Sequence, residues 1–233
     1  MSINMKIESI DDFYGFLKDQ TDADVSWNRM LYRGVYSRKF ELIPSIGRFR
    51  TTEKNKFNVG DEIAMLDDFK NRAYLYLKNY NFDTLELLSF GQHHGLPTRL
   101  LDWTQNPLVA VYFAVDRPFT EDEKEDFSCV YIHKTEIPVE PCEPFDPFTI
   151  NRVRYYIPKH LDNRIIRQGG VFTVHNDPYT AWEPKDLKTV LIHKNIRRKI
   201  KNTLSKLGVN ANTLYPEIDG IAKYVEWRHS DLF

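Results

Sequence analysis

Arginine, histidine, glutamine and threonine crowd into two short stretches of this chain. The first is Leu31-Tyr32-Arg33-Gly34; the second runs from Gln92-His93-His94-Gly95 through Thr98-Arg99 and Asp102-Trp103 to Thr104. A guanidinium holds phosphate or carboxylate through parallel N–H donors. Arg33 precedes a glycine, where backbone and ligand can approach closely. That placement suits an anion-binding arginine; the alternative is an ion pair on a solvated edge strand. An imidazole titrates near ~6.5 and serves as a general acid or base, or as a cation at a helix C-terminus. His93 and His94 are open to either use. On a helix they point about 100° apart, so they do not face one metal together. No cysteine or carboxylate stands at a zinc spacing from them, and a metal site is not expected.

Arg99 and Asp102 flank two leucines. On an extended strand they face opposite sides; after a turn they can pair. A buried Arg99–Asp102 pair that holds the loop is the favoured role for Asp102, with anion binding as the alternative for Arg99. Trp103 and Tyr112 suit either a core or a stacking surface. Gly169-Gly170 lacks the strand–glycine–helix context of a phosphate loop. The chain contains no Gly-x-Ser-x-Gly, Walker A, Cys-x-x-Cys or His-Glu-x-x-His pattern, which argues against the common hydrolase, nucleotidase and zinc-peptidase templates.

Elements must hold these groups in place. Residues 7–20 read as a short helix capped by Ser9, with Phe13, Phe16 and Leu17 on one face. Trp27 to Gly34 reads as a strand and 36–50 as an irregular loop. The longest helix is expected over 60–80, with Ile63, Met65, Leu66, Phe69, Ala73, Tyr74 and Leu77 turned to a core. A second covers 84–94 and ends at Gly95 in the left-handed conformation. Pro97 starts an extended stretch. Asn106 or Thr104 caps a deeply buried helix from Pro107 to Val115. Strands are expected at 129–133 and 188–193, a strand or turn at 153–157, and an extended stretch with a Gly-Gly bend at 165–175. Four prolines make 136–149 a surface connection. Residues 195–207 form a basic amphipathic helix with Ile196, Ile200, Leu204 and Leu207 as its apolar face, and 214–227 starts as a turn and ends as a helix. The whole is one α+β domain, 1–233, with a mixed or split sheet, flanking helices and a core over about 25–225.

With 233 residues, 42% hydrophobic and 28% charged, the chain is an ordinary globular protein, and aromatics at 14% make its core and pockets ring-rich. A net charge of −1 gives no nucleic-acid footprint. No apolar run nears the ~20 residues that cross a bilayer, and the start of the chain does not read as a secretory signal. Cys129 and Cys142 are expected as reduced thiols in a cytoplasmic protein.

Three stretches together resemble the FRG-domain family. They are Leu31-Tyr32-Arg33-Gly34-Val35, the run from Gln92 to Ala114, and Ile165 to Thr173; Leu214 to Ala222 adds to the likeness. The order of elements is also similar to ADP-ribosyltransferases. That resemblance implies Arg33 on the phosphates of NAD, a polar strand at 98–104, and the helix opened by Asn106-Pro107. It also implies a glutamate on a late strand, and none stands near 162–168. Gln168 stands there instead, with Asp162, Glu217 or Asp219 as substitute acids.

The expectation is an ADP-ribosyltransferase-like protein that binds NAD or a related nucleotide. It would transfer ADP-ribose to a macromolecular acceptor or hydrolyse NAD, as a bacterial toxin or phage-defence effector. Arg33, His94 and Gln168 are its expected catalytic groups. Tyr32, Gly34, Gln92, His93, Thr98, Arg99 and Thr104 complete the nucleotide contacts. Two rivals remain. One is a non-catalytic module whose basic residues Lys194, Arg197, Arg198, Lys199, Lys201 and Lys206 contact a protein or nucleic acid. The other is a metal-dependent hydrolase built on Asp102 with His93 or His94.

Overall fold

The chain opens with β1 (Ile3–Ile7), α1 (Ile10–Asp22) and β2 (Met30–Val35). Next come α2 (Val59–Arg72), α3 (Tyr74–Leu77) and α4 (Thr84–His93). β3 (Leu100–Thr104) leads into α5 (Pro107–Val115), followed by β4 (Phe127–Lys134) and β5 (Arg154–Tyr156). α6 (Asn163–Gln168) and β6 (Gly170–Val174) precede β7 (Leu187–His193), then α7 (Lys194–Lys206), α8 (Ala211–Leu214) and α9 (Ile218–His229). The structure is a computed structural model that describes residues 3–22, 29–48, 58–117, 126–136, 139–141, 143–159 and 163–230. Trp27, Cys142 and Asp162 lie outside the described residues.

The described strands form one seven-stranded sheet in the order β1-β7-β4-β2-β3-β6-β5. β1 runs parallel to β7. The other neighbouring pairs are antiparallel. This is the expected α+β class, with a mixed sheet and flanking helices. Among the described residues no helix is long and apolar enough to cross a membrane.

Local chemistry explains the elements around the cleft. Asp83 caps α4 by accepting from Glu86 N–H at 2.9 Å, and Glu86 returns the bond to Asp83 N–H at 2.8 Å. α4 stops at Gly95, whose φ of 92° suits glycine. Leu96 N–H bonds to Gly91 O at 2.9 Å and Gly95 N–H to Gln92 O at 3.0 Å, which completes a Schellman ending. Asn106 caps α5 by accepting from Leu108 N–H at 2.9 Å, with Pro107 in the first turn. α5 then buries Val109 to Tyr112, Ala114 and Val115 against β2 and α7. The fit to β2 requires Gly34, because a Cβ there would lie 1.8 Å from Ala110 O. Gly34 therefore serves helix packing first.

Several expectations shift. β1 was not expected; Ser9 caps α1 as expected, but the helix runs over 10–22. The helix expected over 60–80 breaks at Ala73 into α2 and α3. Leu66 and Leu77 are buried, yet Ile63 is 40% and Tyr74 64% exposed, so it is no core helix. Its inward face carries Glu62, which is 4% exposed and paired with Arg99. The extended stretch expected from Ile165 begins instead as α6, and a strand follows from Gly170. Leu207 leaves the apolar face of α7 and is exposed, whereas Arg197 and Lys201 turn inward. Lys201 Nζ bonds to Asp116 O at 2.8 Å and to its Oδ1 at 2.9 Å; Arg197 Nη2 donates to Tyr36 O at 3.1 Å.

Candidate functional site

The sheet parts between β2 and β3. β2 stays in register with β4 from Met30–Lys134 to Val35–Cys129, but meets β3 only at Tyr32–Thr104. Beyond that pair a cleft of about 540 Å³ lies between them. That volume is within the ~300–1,000 Å³ of small-molecule sites. β2 contributes Tyr32, Arg33 and Gly34, and β3 contributes Asp102 and Thr104. Ser89, Gln92 and His93 come from α4. Phe113 of α5, and Arg164 and Gln168 of α6, close further walls, and Arg48 reaches in from the loop after β2.

Arg33 spans the parted strands. Its Nη1 donates to Asp102 O at 2.7 Å and stands 3.6 Å from Asp102 Oδ2. A side-chain donor thus takes a carbonyl of β3 beyond the last pair of the ladder. The Arg33 side chain is 15% exposed, and its Nε is buried without a hydrogen-bond partner among the described residues. Burial lowers the guanidinium's pKa, Asp102 opposes that shift, and Arg48 adds to it. An arginine stays protonated through such a shift.

Asp102 is held from its other side by Gln92, whose Nε2 donates to Oδ1 at 2.8 Å. Thr98 Oγ1 donates to Gln92 Oε1 and accepts from Leu100 N–H at 3.1 Å. The loop before Arg48 is pinned to the same place. Ile46 N–H bonds to Thr98 O at 3.1 Å, and Ser45 Oγ accepts from Thr98 N–H at 2.9 Å. At the far end, Thr104 Oγ1 donates to Gln168 O at 2.6 Å and accepts from Asn106 N–H at 3.0 Å. Gln168 Nε2 donates to Leu214 O at 3.1 Å, tying the C-terminal segment to the cleft wall. Arg164 lies over the Tyr215 ring at 4.4 Å.

Seven of the expected site residues line this cleft: Tyr32, Arg33, Gly34, Gln92, His93, Thr104 and Gln168. His94, Thr98 and Arg99 do not. His94 is the exposed C-cap of α4, with its ring 4.6 Å from Phe90 and 5.0 Å from His93. Thr98 acts through Gln92. Arg99 is 1% exposed and belongs to the core. Its Nε and Nη2 each meet Glu62 at 2.9 Å, and Nη1 donates to Pro147 O at 2.9 Å and His175 O at 3.1 Å. The pair expected between Arg99 and Asp102 does not form: β3 is extended, which sends the two to opposite faces. Tyr32 donates its hydroxyl to Gln20 Oε1 at 3.1 Å, and burial pushes its pKa up to about 12. Trp103 lines the cleft and also anchors the core, donating Nε1 to Thr173 Oγ1 at 3.1 Å. Glu217 and Asp219 are exposed and do not line it. Among the described residues no cluster of three His, Cys, Asp or Glu is arranged to hold a metal.

Sequence reasoning placed Asp102 in the scaffold and passed over Arg48 and Arg164. One signal for Asp102 was present: it alternates with the buried Leu101 and Trp103, so it had to face away from their core. The arginines carried no such signal, because their approach depends on the loop and α6 folding back.

A family model described as the FRG domain matches residues 28–123, the stretch from β2 through α5. It includes Arg33, Arg48, Gln92 and Asp102, and it supports the FRG-domain family without bringing an activity. Comparisons with curated proteins and with solved structures returned no match.

Proposed function

We propose that the cleft binds NAD or a related pyrophosphate-bearing nucleotide, and that the protein transfers ADP-ribose from it to a macromolecule or hydrolyses it. One observation carries this reading. Three guanidinium groups, Arg33, Arg48 and Arg164, line a cleft whose described lining holds a single carboxylate, Asp102. Such a surplus of positive charge suits a diphosphate, and phosphate is the anion that guanidinium forks fit. Phe113, half-buried in the lining, offers a ring to a base. The similarity in element order to ADP-ribosyltransferases supports the same ligand.

The chemistry follows from the bond at risk. When the ribose–nicotinamide C–N bond breaks, its electron pair leaves with nicotinamide and positive charge develops on the ribose. A carboxylate beside that carbon lowers the barrier. Asp102 takes the place of the late-strand glutamate that the resemblance implies. Water or an acceptor group then bonds to the ribose carbon and gives up its proton. Incubation with NAD, read as nicotinamide release, tests this. Wild type should release nicotinamide, and Arg33→Ala and Asp102→Asn should each lose about 100-fold or more, the scale of one strong electrostatic contact. No release and no binding by wild type would end the reading.

A second reading, nucleotide binding without turnover, is favoured by the engagement of Asp102 with both Gln92 and Arg33. NAD binding without nicotinamide release selects it. The α7 nucleic-acid module loses support because Arg197 and Lys201 are engaged inside the protein. A salt-dependent gel shift with RNA or DNA would revive it.

A further inference from the structure

We infer that Gln92, oriented by Thr98, is the positioning residue that holds the Asp102 carboxyl group as an acceptor beside Arg33 at the mouth of the cleft. This rests on the nucleotide reading of the cleft. A threonine hydroxyl has one proton to give. Thr98 Oγ1 accepts from Leu100 N–H at 3.1 Å and donates its proton to Gln92 Oε1, and a flipped amide would instead set that oxygen against the acceptor Asp102 Oδ1. Gln92 is therefore locked against a flip and presents Nε2 to Asp102 Oδ1, 2.8 Å away. Gln92 Nε2 on Oδ1 and Arg33 Nη1 at 3.6 Å from Oδ2 hold the carboxyl group from both sides.

Each end of the relay is fixed independently. Thr98 is 2% exposed and bound through its backbone to Ser45 and Ile46. Arg33 is held on the main-chain carbonyl of Asp102 at 2.7 Å. Asp102 itself is open, with a side chain 63% exposed, so the relay fixes the one carboxyl group in the described lining of the cleft. An acceptor aimed this way suits a hydroxyl-bearing group such as a ribose. Gln92 lines the cleft, but the inference concerns its action through Asp102.

Gln92→Glu tests the inference with little change of shape. Its carboxyl keeps the bond from Thr98 and turns its other oxygen to Asp102. Two carboxyls facing each other share a proton at low pH and repel when both ionise. The melting temperature of Gln92→Glu should match wild type at pH 5 and fall below it by about 3 °C or more at pH 8, a loss near 1 kcal/mol for a chain of this size. NAD affinity of the variant should match wild type at pH 5 and be about tenfold weaker at pH 8, because a second negative charge then opposes the phosphates. Thr98→Val should weaken NAD binding at every pH, and Thr98→Ser should restore it. A Gln92→Glu profile parallel to wild type in both melting and affinity would overturn the inference, since a mere spacer adds no titration. Wild type that fails to bind NAD would sink the nucleotide reading alone. The melting profile would still decide the relay.

Discussion

Replacing Arg99 separates a core role from a ligand role. Arg99→Ala leaves Glu62, 4% exposed, with the Tyr179 hydroxyl at 3.0 Å as the donor that remains to it among the described residues. It also strips donors from Pro147 O and His175 O, and removes the cation that lies 4.8 Å over the Phe148 ring. Removing one partner of a buried ion pair costs about 3–5 kcal/mol, because the other charge is left buried and uncompensated. For a chain of this length each kcal/mol moves the melting temperature by about 2–4 °C, so the drop should be roughly 6–20 °C. Thermal unfolding followed by far-UV circular dichroism measures it. The double variant Arg99→Met with Glu62→Leu should recover part of the loss, because it removes both charges together. An Arg99→Ala protein that melts within 2 °C of wild type (about the size of a neutral surface change) and yet no longer binds NAD would refute the reasoning and return Arg99 to the ligand site.

Other outcomes follow from the packing and the buried imidazoles. Gly34→Ala should cost about 3 kcal/mol, the upper end for overpacking, because its Cβ would meet the Ala110 carbonyl and the Ala114 amide of α5 and neither can swing aside; a lowered urea midpoint checks it. Burial lowers the pKa of His133 and of His175 to about 4, with Arg33 and Arg99 adding to the effect on His175. Their unfolded values lie near ~6.5, so the stability from keeping both neutral is complete above that pH. It is lost as pH falls from there through 4, by up to about 3 kcal/mol for each imidazole. Denaturant titrations at pH 7 and pH 4 measure this loss, and His175→Gln should reduce it.

How much was legible in the sequence depended on distance along the chain. The Asn106 cap, Pro107, the apolar run of α5 and the glycine ending of α4 are local, and residues a few places apart explain them. Glu62 sits in the first turn of α2, where an acid is ordinary; its partner Arg99 lies 37 residues away, and nothing local marks the pair. β1 was hidden because most of its residues are exposed and it is completed only by pairing with β7 near the far end. The cleft itself was hidden for the same reason. Arg33, Gln92 and Gln168 stood out by type, but Asp102, Arg48 and Arg164 join them only where β2 and β3 part.

The central claim is that Arg33 holds the phosphates of an NAD-type ligand in this cleft. An equilibrium titration of wild type, Arg33→Lys and Arg33→Ala with NAD, read by calorimetry, tests it most directly. Wild type should bind saturably, Arg33→Lys, which keeps the charge but loses the fork, about tenfold more weakly, and Arg33→Ala about 100-fold more weakly. Equal affinity in folded wild type and Arg33→Ala, or no binding to wild type at all, would contradict it.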